Sequence, residues 1–340
     1  MQLESYAPNF SDIPKTFEQY ETEEEVGRGC FGIVVTARHI PTNERFACKF
    51  IYRSICEENP WILKTFEKES RIQGQLSHPN LIKLSKVLYL DEFYVLVLEW
   101  CENRDLYQYL CNYTILAQYL DSNDPTYLPI PEILNFSLQI ANGLQYLHEK
   151  NIAHCDLKFE NILLTNDKTL KIADFGSCVE CSKEKYPNSS TILFAPPEYP
   201  EFDEYAGELE ESNNLKYDAL KADIWGFGIL VLSMIHGEYP FSEDDTWEQK
   251  MLDLNTNISI IPSPLQLLVS QCLSLSPSKR PTASELVNNI KKIQENYNPK
   301  RTKARISPTQ CFSCDTINKI YKKNHRNMPN VKSSNYYAYR

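Results

Sequence analysis

The stretch "NIAHCDLKFENILL", residues 151–164, decides how the chain is read. Asp156, Lys158 and Asn161 place an acid, a cation and an amide within six residues, types that suit moving a phosphoryl group from a nucleotide to a hydroxyl. Cys155 stands where such a loop often carries arginine. The loop therefore reads either as part of a working enzyme with unusual regulation or as an imitation of one.

Upstream lies "VGRGCFGIV", residues 26–34, with three of the chain's ten glycines, Gly27, Gly29 and Gly32. Glycine lets a backbone approach a phosphate closely and offer its amides, which a Cβ would obstruct. A plain hairpin turn also accounts for two of the glycines. A Rossmann loop is disfavoured because strand-like residues, not a helix, follow Gly32. Lys49, in the strand-like "FACKF", is placed to reach the α- and β-phosphates of a nucleotide, although a lone lysine is more often a surface residue. Both Glu67 and Glu69 on the following helical segment are candidates for its paired acid.

The 340 residues have the composition of an ordinary soluble globular protein, room for one large domain or two modest lobes. A net charge of −10 argues against general affinity for nucleic acid. From residue 296 onward ten Lys or Arg face a single Asp315, so the tail carries about +9 and the remainder about −19. The first twenty residues lack the basic start and apolar run of a secretory signal, and no stretch approaches the roughly 20 apolar residues that span a bilayer. The expectation is an intracellular, cytoplasmic protein whose eleven cysteines are mainly reduced thiols.

Residues 20–55 alternate or cluster β-branched and aromatic residues around the turn "IPTN" and predict strands. Residues 61–76 place Ile62, Phe66, Ile72 and Leu76 at near-helical spacing, and two further apolar strands flank a turn before residue 100. The first hundred residues thus predict a sheet with one helix. Beyond them, "IPEILNFSLQIANGLQYLHEK" and "KADIWGFGILVLSMIHG" predict long helices. Segments 117–131 and 199–218 read as solvent-exposed insertions, and the polar, basic tail as weakly ordered.

These motifs, in this order, resemble the eukaryotic protein kinases over residues 20–295. His154, Asp156, Lys158 and Asn161 match the catalytic loop, and Asp174, Phe175 and Gly176 the "DFG" triplet. "APPE" ending at Glu198, "DIWGFG" from Asp223 and "SKRP" containing Arg280 continue the pattern. The resemblance implies an α+β, two-lobed fold: an N-lobe over 20–98 with an antiparallel sheet and one main helix, a hinge at 99–103, and a mostly helical C-lobe over 104–295. An extension, 1–19, and the tail, 296–340, flank it.

The same resemblance implies ATP and Mg²⁺ as cofactors and protein Ser or Thr hydroxyls as acceptors, because a lysine two residues after the acid is the serine/threonine pattern. Its family position, ten residues before the proline of "HPN", selects Glu69 as the partner of Lys49. Asn161 and Asp174 would hold the metal, Asp156 would accept the hydroxyl proton, and Lys158 would neutralise the γ-phosphoryl. Val34, Ala47 and Leu163 would sandwich the adenine, with backbone groups of Glu99 and Cys101 on its edge, Leu98 as gatekeeper and Asp105 at the ribose. The grouping is broadly similar to the calcium/calmodulin-dependent kinases, whose tails offer docking on the acidic lobe as the sharper alternative to a solvated extension.

Departures from the pattern bear on regulation. In many kinases the arginine at the position of Cys155 helps receive an activation-loop phosphate; a thiol offers no permanent charge. Thr191 matches a structural threonine of the family, Gln73 puts an amide where an apolar residue usually stacks on Phe175 and His154, and Pro196 replaces an alanine. Glu160 and the acids of 199–218 suggest substrates with basic residues near the acceptor. Two "CxxC" pairs, Cys178 with Cys181 and Cys311 with Cys314, read mainly as incidental thiols, with a zinc or redox module as the sharper alternative. A pseudokinase scaffold that binds partners without turnover is the competing reading.

Overall fold

The computed structural model describes residues 7–29, 31–103, 105–117, 127–184, 187, 194–199, 217–240 and 247–297, with side chains of 112–117, 247 and 248 left out. Thr191, most of both insertions, Cys311, Cys314 and the basic tail from residue 298 lie outside them. The chain divides into two compact units, the first running to Leu106 and also containing Glu160–Gly176, the second holding 107–159 and the residues from Ser177 on.

The first unit is built on a six-stranded antiparallel sheet. Its strands are β1 (Thr16–Phe17), β2 (Tyr20–Arg28), β3 (Ile33–His39), β4 (Arg45–Tyr52), β5 (Leu84–Tyr89) and β6 (Phe93–Glu99), in the order β1-β2-β3-β4-β6-β5. The central strands are apolar on both faces because both faces are covered. Side-chain parity sorts them: Val34, Ala47, Ile51, Leu96 and Leu98 pack in one cluster, while Ile33, Val35, Cys48, Phe50, Val95 and Val97 pack in another. Lys49 shares the parity of Ala47 and Ile51.

The first face is covered by α2 (Pro60–Gln73), which buries Ile62, Phe66 and Ile72. It starts with Pro60 in its first turn, where no N–H is needed, and ends at Gly74. Leu76, expected in the helix, lies beyond that end yet is buried. A short helix absent from the sequence reading, α1 (Arg53–Glu58), precedes α2 and buries only Cys56, too few apolar positions to leave a period.

The other face is covered by the chain's own beginning. Ile13 and Phe17 sit in the second cluster with Tyr20, and Phe17 packs edge-on against Phe50 at 5.0 Å. Arg28 donates to the Pro8 carbonyl at 2.5 Å, and Tyr52 donates to Asp12 at 2.8 Å. Phe17→Ala is expected to cost about 3–5 kcal/mol of stability, the range for emptying a buried phenylalanine site. Chemical denaturation of wild type and variant measures it, and a change below about 1 kcal/mol would mean that segment 7–17 does not cover the sheet.

The first unit is completed by β8 (Ile162–Leu164) and β9 (Leu170–Ile172), an antiparallel hairpin. In the second unit, α3 (Leu106–Ala117) begins at the boundary and α4 (Ile130–Glu149) packs on α5 (Ala219–His236) and α8 (Ala283–Asn296). Strand β7 (Ile152–Ala153) pairs with β10 (Val179–Glu180). Helices α6 (Trp247–Ser259) and α7 (Ser263–Cys272) follow, and α7 packs on α5 so closely that a Cβ on Gly228 would lie 2.8 Å from Cys272 Cβ. Helix α5 is long and apolar enough to cross a membrane, but 83% of it is buried inside the protein. Asp218 caps its N-terminus by accepting from the amides of Leu220 and Lys221.

Candidate functional site

Lys49 of β4 and Glu69 of α2 meet in the first unit because sheet parity points Lys49 to the face that α2 covers. Its Nζ lies 2.9 Å from both carboxylate oxygens of Glu69 and 3.7 Å from Asp174 Oδ1. Glu67 is exposed, so of the two acids Glu69 is the one that reaches Lys49. All three charged groups of the trio are buried. Burial alone disfavours the ammonium, but Glu69 and then Asp174 outweigh it and hold the Lys49 pKa above its ordinary value, so Lys49 is a cation at neutral pH.

The glycine turn joins β2 to β3. Gly29 donates its amide to the Gly32 carbonyl at 2.8 Å, and Gly27 pairs with Val34. A Cβ on Gly32 would come within 2.9 Å of the Phe50 carbonyl, so this position requires glycine for the crossing of the turn over β4 as well as for any approach to phosphate.

Val34, Ala47, Leu98, Cys101 and Leu163 belong to one buried cluster. The register explains it: Val34 opposes Lys49, and Ala47 opposes Leu98. Burial pushes the Cys101 thiol up to about 12, leaving it a neutral filler. The Glu99 amide donates to Lys83 O at 2.9 Å, and its carboxylate pairs with Lys171 at 2.8 Å. Asp105 is buried and bridges to Leu163.

The β8–β9 hairpin brings Asn161 and Asp174 together across a span of twelve residues, since the Ala173 amide donates to the Asn161 carbonyl at 2.8 Å. One side chain carries an amide oxygen and the other a carboxylate, a hard-oxygen pair that fits Mg²⁺ and would not select a soft metal. Asp174 adopts a left-handed backbone, φ +63°, a conformation uncommon for residues other than glycine and better tolerated by Asp and Asn than by most. Gln73, the amide at the position where an apolar residue usually stacks on Phe175, donates to Ile82 O at 3.1 Å and is buried.

In the second unit the Lys158 ammonium lies 2.5 Å from Asp156 Oδ2, both side chains being buried. The loop that carries them is held by Asp223, whose carboxylate accepts from the amides of His154 and Cys155 at 2.8 Å each and meets His148 Nε2 at 2.9 Å. This grip sustains Cys155 at φ +64°, the least comfortable backbone of the loop. The role of Asp223 was not legible beyond its place in "DIWGFG"; an aspartate inside an otherwise apolar helical run is the available signal. Glu198 and Arg280 form a fully buried bidentate pair at 2.6 and 2.7 Å.

Cys155 packs with Ala153, Val179, Ala195, Tyr199, Tyr217, Ala219 and Ala222. Burial first, and then the nearby Asp223, drive its thiol well above the ordinary range, although a hydrogen bond from Tyr217 acts the other way. Of the CxxC pair in this unit, Cys178 is buried and Cys181 exposed. No group of three or more His, Cys, Asp or Glu able to hold a metal occurs among the described residues.

Comparison with known proteins agrees with this geometry. The chain matches the protein kinase domain over residues 20–290. A probable serine/threonine-protein kinase of Dictyostelium discoideum is 29% identical over 281 residues, covering 79% of this chain and 31% of that protein. A second one from that organism is 30% identical over 247 residues, covering 70% and 16%. The serine/threonine-protein kinase ppk16 of Schizosaccharomyces pombe is 30% identical over 252 residues, covering 72% and 32%. The match thus spans about a third or less of these relatives' own lengths. With the glycine turn, the buried lysine–glutamate pair and the two motif loops all inside the matched region, the chain belongs to the eukaryotic protein kinase family.

Proposed function

We propose that this chain is an active protein serine/threonine kinase that transfers the γ-phosphoryl of ATP, with Mg²⁺, to Ser or Thr hydroxyls of proteins inside the cell. The observation that carries this reading is the buried Lys49–Glu69–Asp174 trio. Burying charges costs several kcal/mol per ion, and apolar residues of similar volume commonly stabilise at least as well. Such a group makes sense as a preorganised receptor for a polyphosphate.

In this reading Lys49 contacts the α- and β-phosphates, held in place by Glu69, and Asn161 with Asp174 would hold the metal. Mg²⁺ held there would supply neutralisation of the phosphate charge. Asp156 takes the proton of the acceptor hydroxyl as its oxygen bonds to the γ-phosphorus. The bond from that phosphorus to the β–γ bridging oxygen breaks, its electron pair leaving with ADP, and Lys158 neutralises the transferring group. Val34, Ala47 and Leu163 pack the base. The test is phosphate transfer from labelled ATP to mixed protein substrates, with Lys49→Met and Asp174→Asn as controls. Transfer by wild type alone supports the kinase; a folded, nucleotide-binding but silent wild type would favour the scaffold.

Activation does not depend on a basic pocket that receives a phosphate. The surroundings of Cys155 support this, because its neighbours are alanines, a valine and tyrosines, an apolar cluster in which burial replaces ionic ordering. Replacing Ser177, Ser182, Ser189 and Ser190 together by Ala is expected to leave basal turnover within about threefold of wild type. A loss beyond tenfold in the purified protein would overturn phosphate-independent ordering. Glu160 and the acidic segment 199–218 favour substrates with Arg or Lys near the acceptor, which a peptide array measures directly.

A further inference from the structure

Trp61 is 53% exposed, an unusual setting for the largest apolar side chain, and it stands on the first turn of α2. Its ring meets Phe31 edge-on, with centroids 4.9 Å apart and planes at 89°. Phe31 lies within the glycine turn, between Gly29 and Gly32, and the hairpin that carries it is otherwise tied down through its strands and through Gly32 against β4. Four and eight residues after Trp61, on the same stripe of α2, come Thr65 and Glu69. A Cβ built on Gly176 would lie 3.9 Å from Thr65 Cγ2 and 3.8 Å from Glu69 Oε2, and Glu69 holds Lys49. One stripe of one helix therefore meets the tip of the glycine turn and the buried lysine, and leaves only the room of a Cβ beside the glycine of "DFG".

We infer that Trp61 is a positioning residue for nucleotide, clamping the glycine turn through Phe31 at the height set by the helix that carries Glu69. Its half-exposed ring is explained by this edge contact, which needs a rigid aromatic face at the turn and gains nothing from deeper burial. The clamp rests on the kinase reading of the site, but it acts on binding and can be tested without turnover.

The experiment is a double-mutant cycle on the full chain. Affinity for a non-hydrolysable ATP analogue with Mg²⁺ is measured by calorimetry for wild type, Trp61→Ala, Phe31→Ala, the double variant and Trp61→Phe. Each alanine variant is expected to bind about three- to tenfold more weakly, the range for an aromatic pair. The double variant should be no weaker than the weaker single variant, and Trp61→Phe should recover most of the loss. Thermal midpoints of the variants should stay near wild type, and turnover at saturating ATP should change less than the KM for ATP. Alanine losses that multiply in the double variant, or a Trp61→Ala affinity equal to wild type, would overturn the clamp. Wild type that binds the analogue but transfers no phosphate would sink the kinase reading and leave the clamp standing, whereas wild type that binds no nucleotide would sink both.

Discussion

Asp156→Asn is expected to lower the turnover number by about 10²–10⁴-fold, the contribution of a positioned general base, while nucleotide affinity stays close to that of wild type. The substitution keeps the shape of the side chain and removes its charge, so the Lys158 ammonium at 2.5 Å loses its buried counter-ion. The surrounding scaffold does not depend on that charge: the amides of His154 and Cys155 remain held by Asp223, and the Asp156 amide still meets His154 Nδ1 at 3.3 Å. Rate and binding should therefore separate. Single-turnover transfer and calorimetric nucleotide binding check this together, and retention of more than about a tenth of wild-type turnover would remove Asp156 from the proton-transfer role.

Glu198→Gln is expected to cost about 3–5 kcal/mol, because it leaves the Arg280 guanidinium buried without its charge partner. Both side chains of the pair are fully buried, and Arg280 also donates to Ser274 O at 2.9 Å and Lys221 O at 3.0 Å. Its guanidinium lies 5.0 Å from the centre of the Trp225 ring, a cation–π contact that cannot replace the lost carboxylate. In thermal unfolding the loss corresponds to a fall of roughly 6–20 °C for a unit of this size. Pairing Glu198→Leu with Arg280→Met should recover part of it, since an apolar pair carries no desolvation penalty. A Glu198→Gln variant within about 1 kcal/mol of wild type would mean that solvent reaches the pair.

Much of the fold was legible because its signals are local. The alternating strands of residues 20–55 and the apolar helical runs of α4 and α5 follow from periodicities of two and 3.6, each spelled within a dozen residues. The end of α2 was misjudged by three residues, since Leu76 continues the apolar spacing although Gly74 has already closed the helix. The short α1 was invisible for want of apolar positions. The covering of the outer sheet face by Ile13 and Phe17 also escaped the sequence reading, because two apolar residues in a polar extension form no pattern until the sheet beneath them exists.

The sequence by itself determined the family and the inventory of chemical groups, because a glycine turn, a lysine, two acid-bearing loops and their order are linear patterns, readable without geometry. Only the tertiary structure decided which groups meet. That the Glu69 carboxylate, singled out by its family position, comes within 2.9 Å of Lys49 depends on α2 packing over the face of β4 that carries the lysine. That Asp223 grips the backbone of a loop some seventy residues earlier, and that Cys155 sits among tyrosines and alanines, depend on helix α5 and on the segments around 195–199 and 217–222 packing against that loop. Such contacts join residues far apart in the chain, and their partners are selected by the packing of whole elements, which no short stretch of sequence contains.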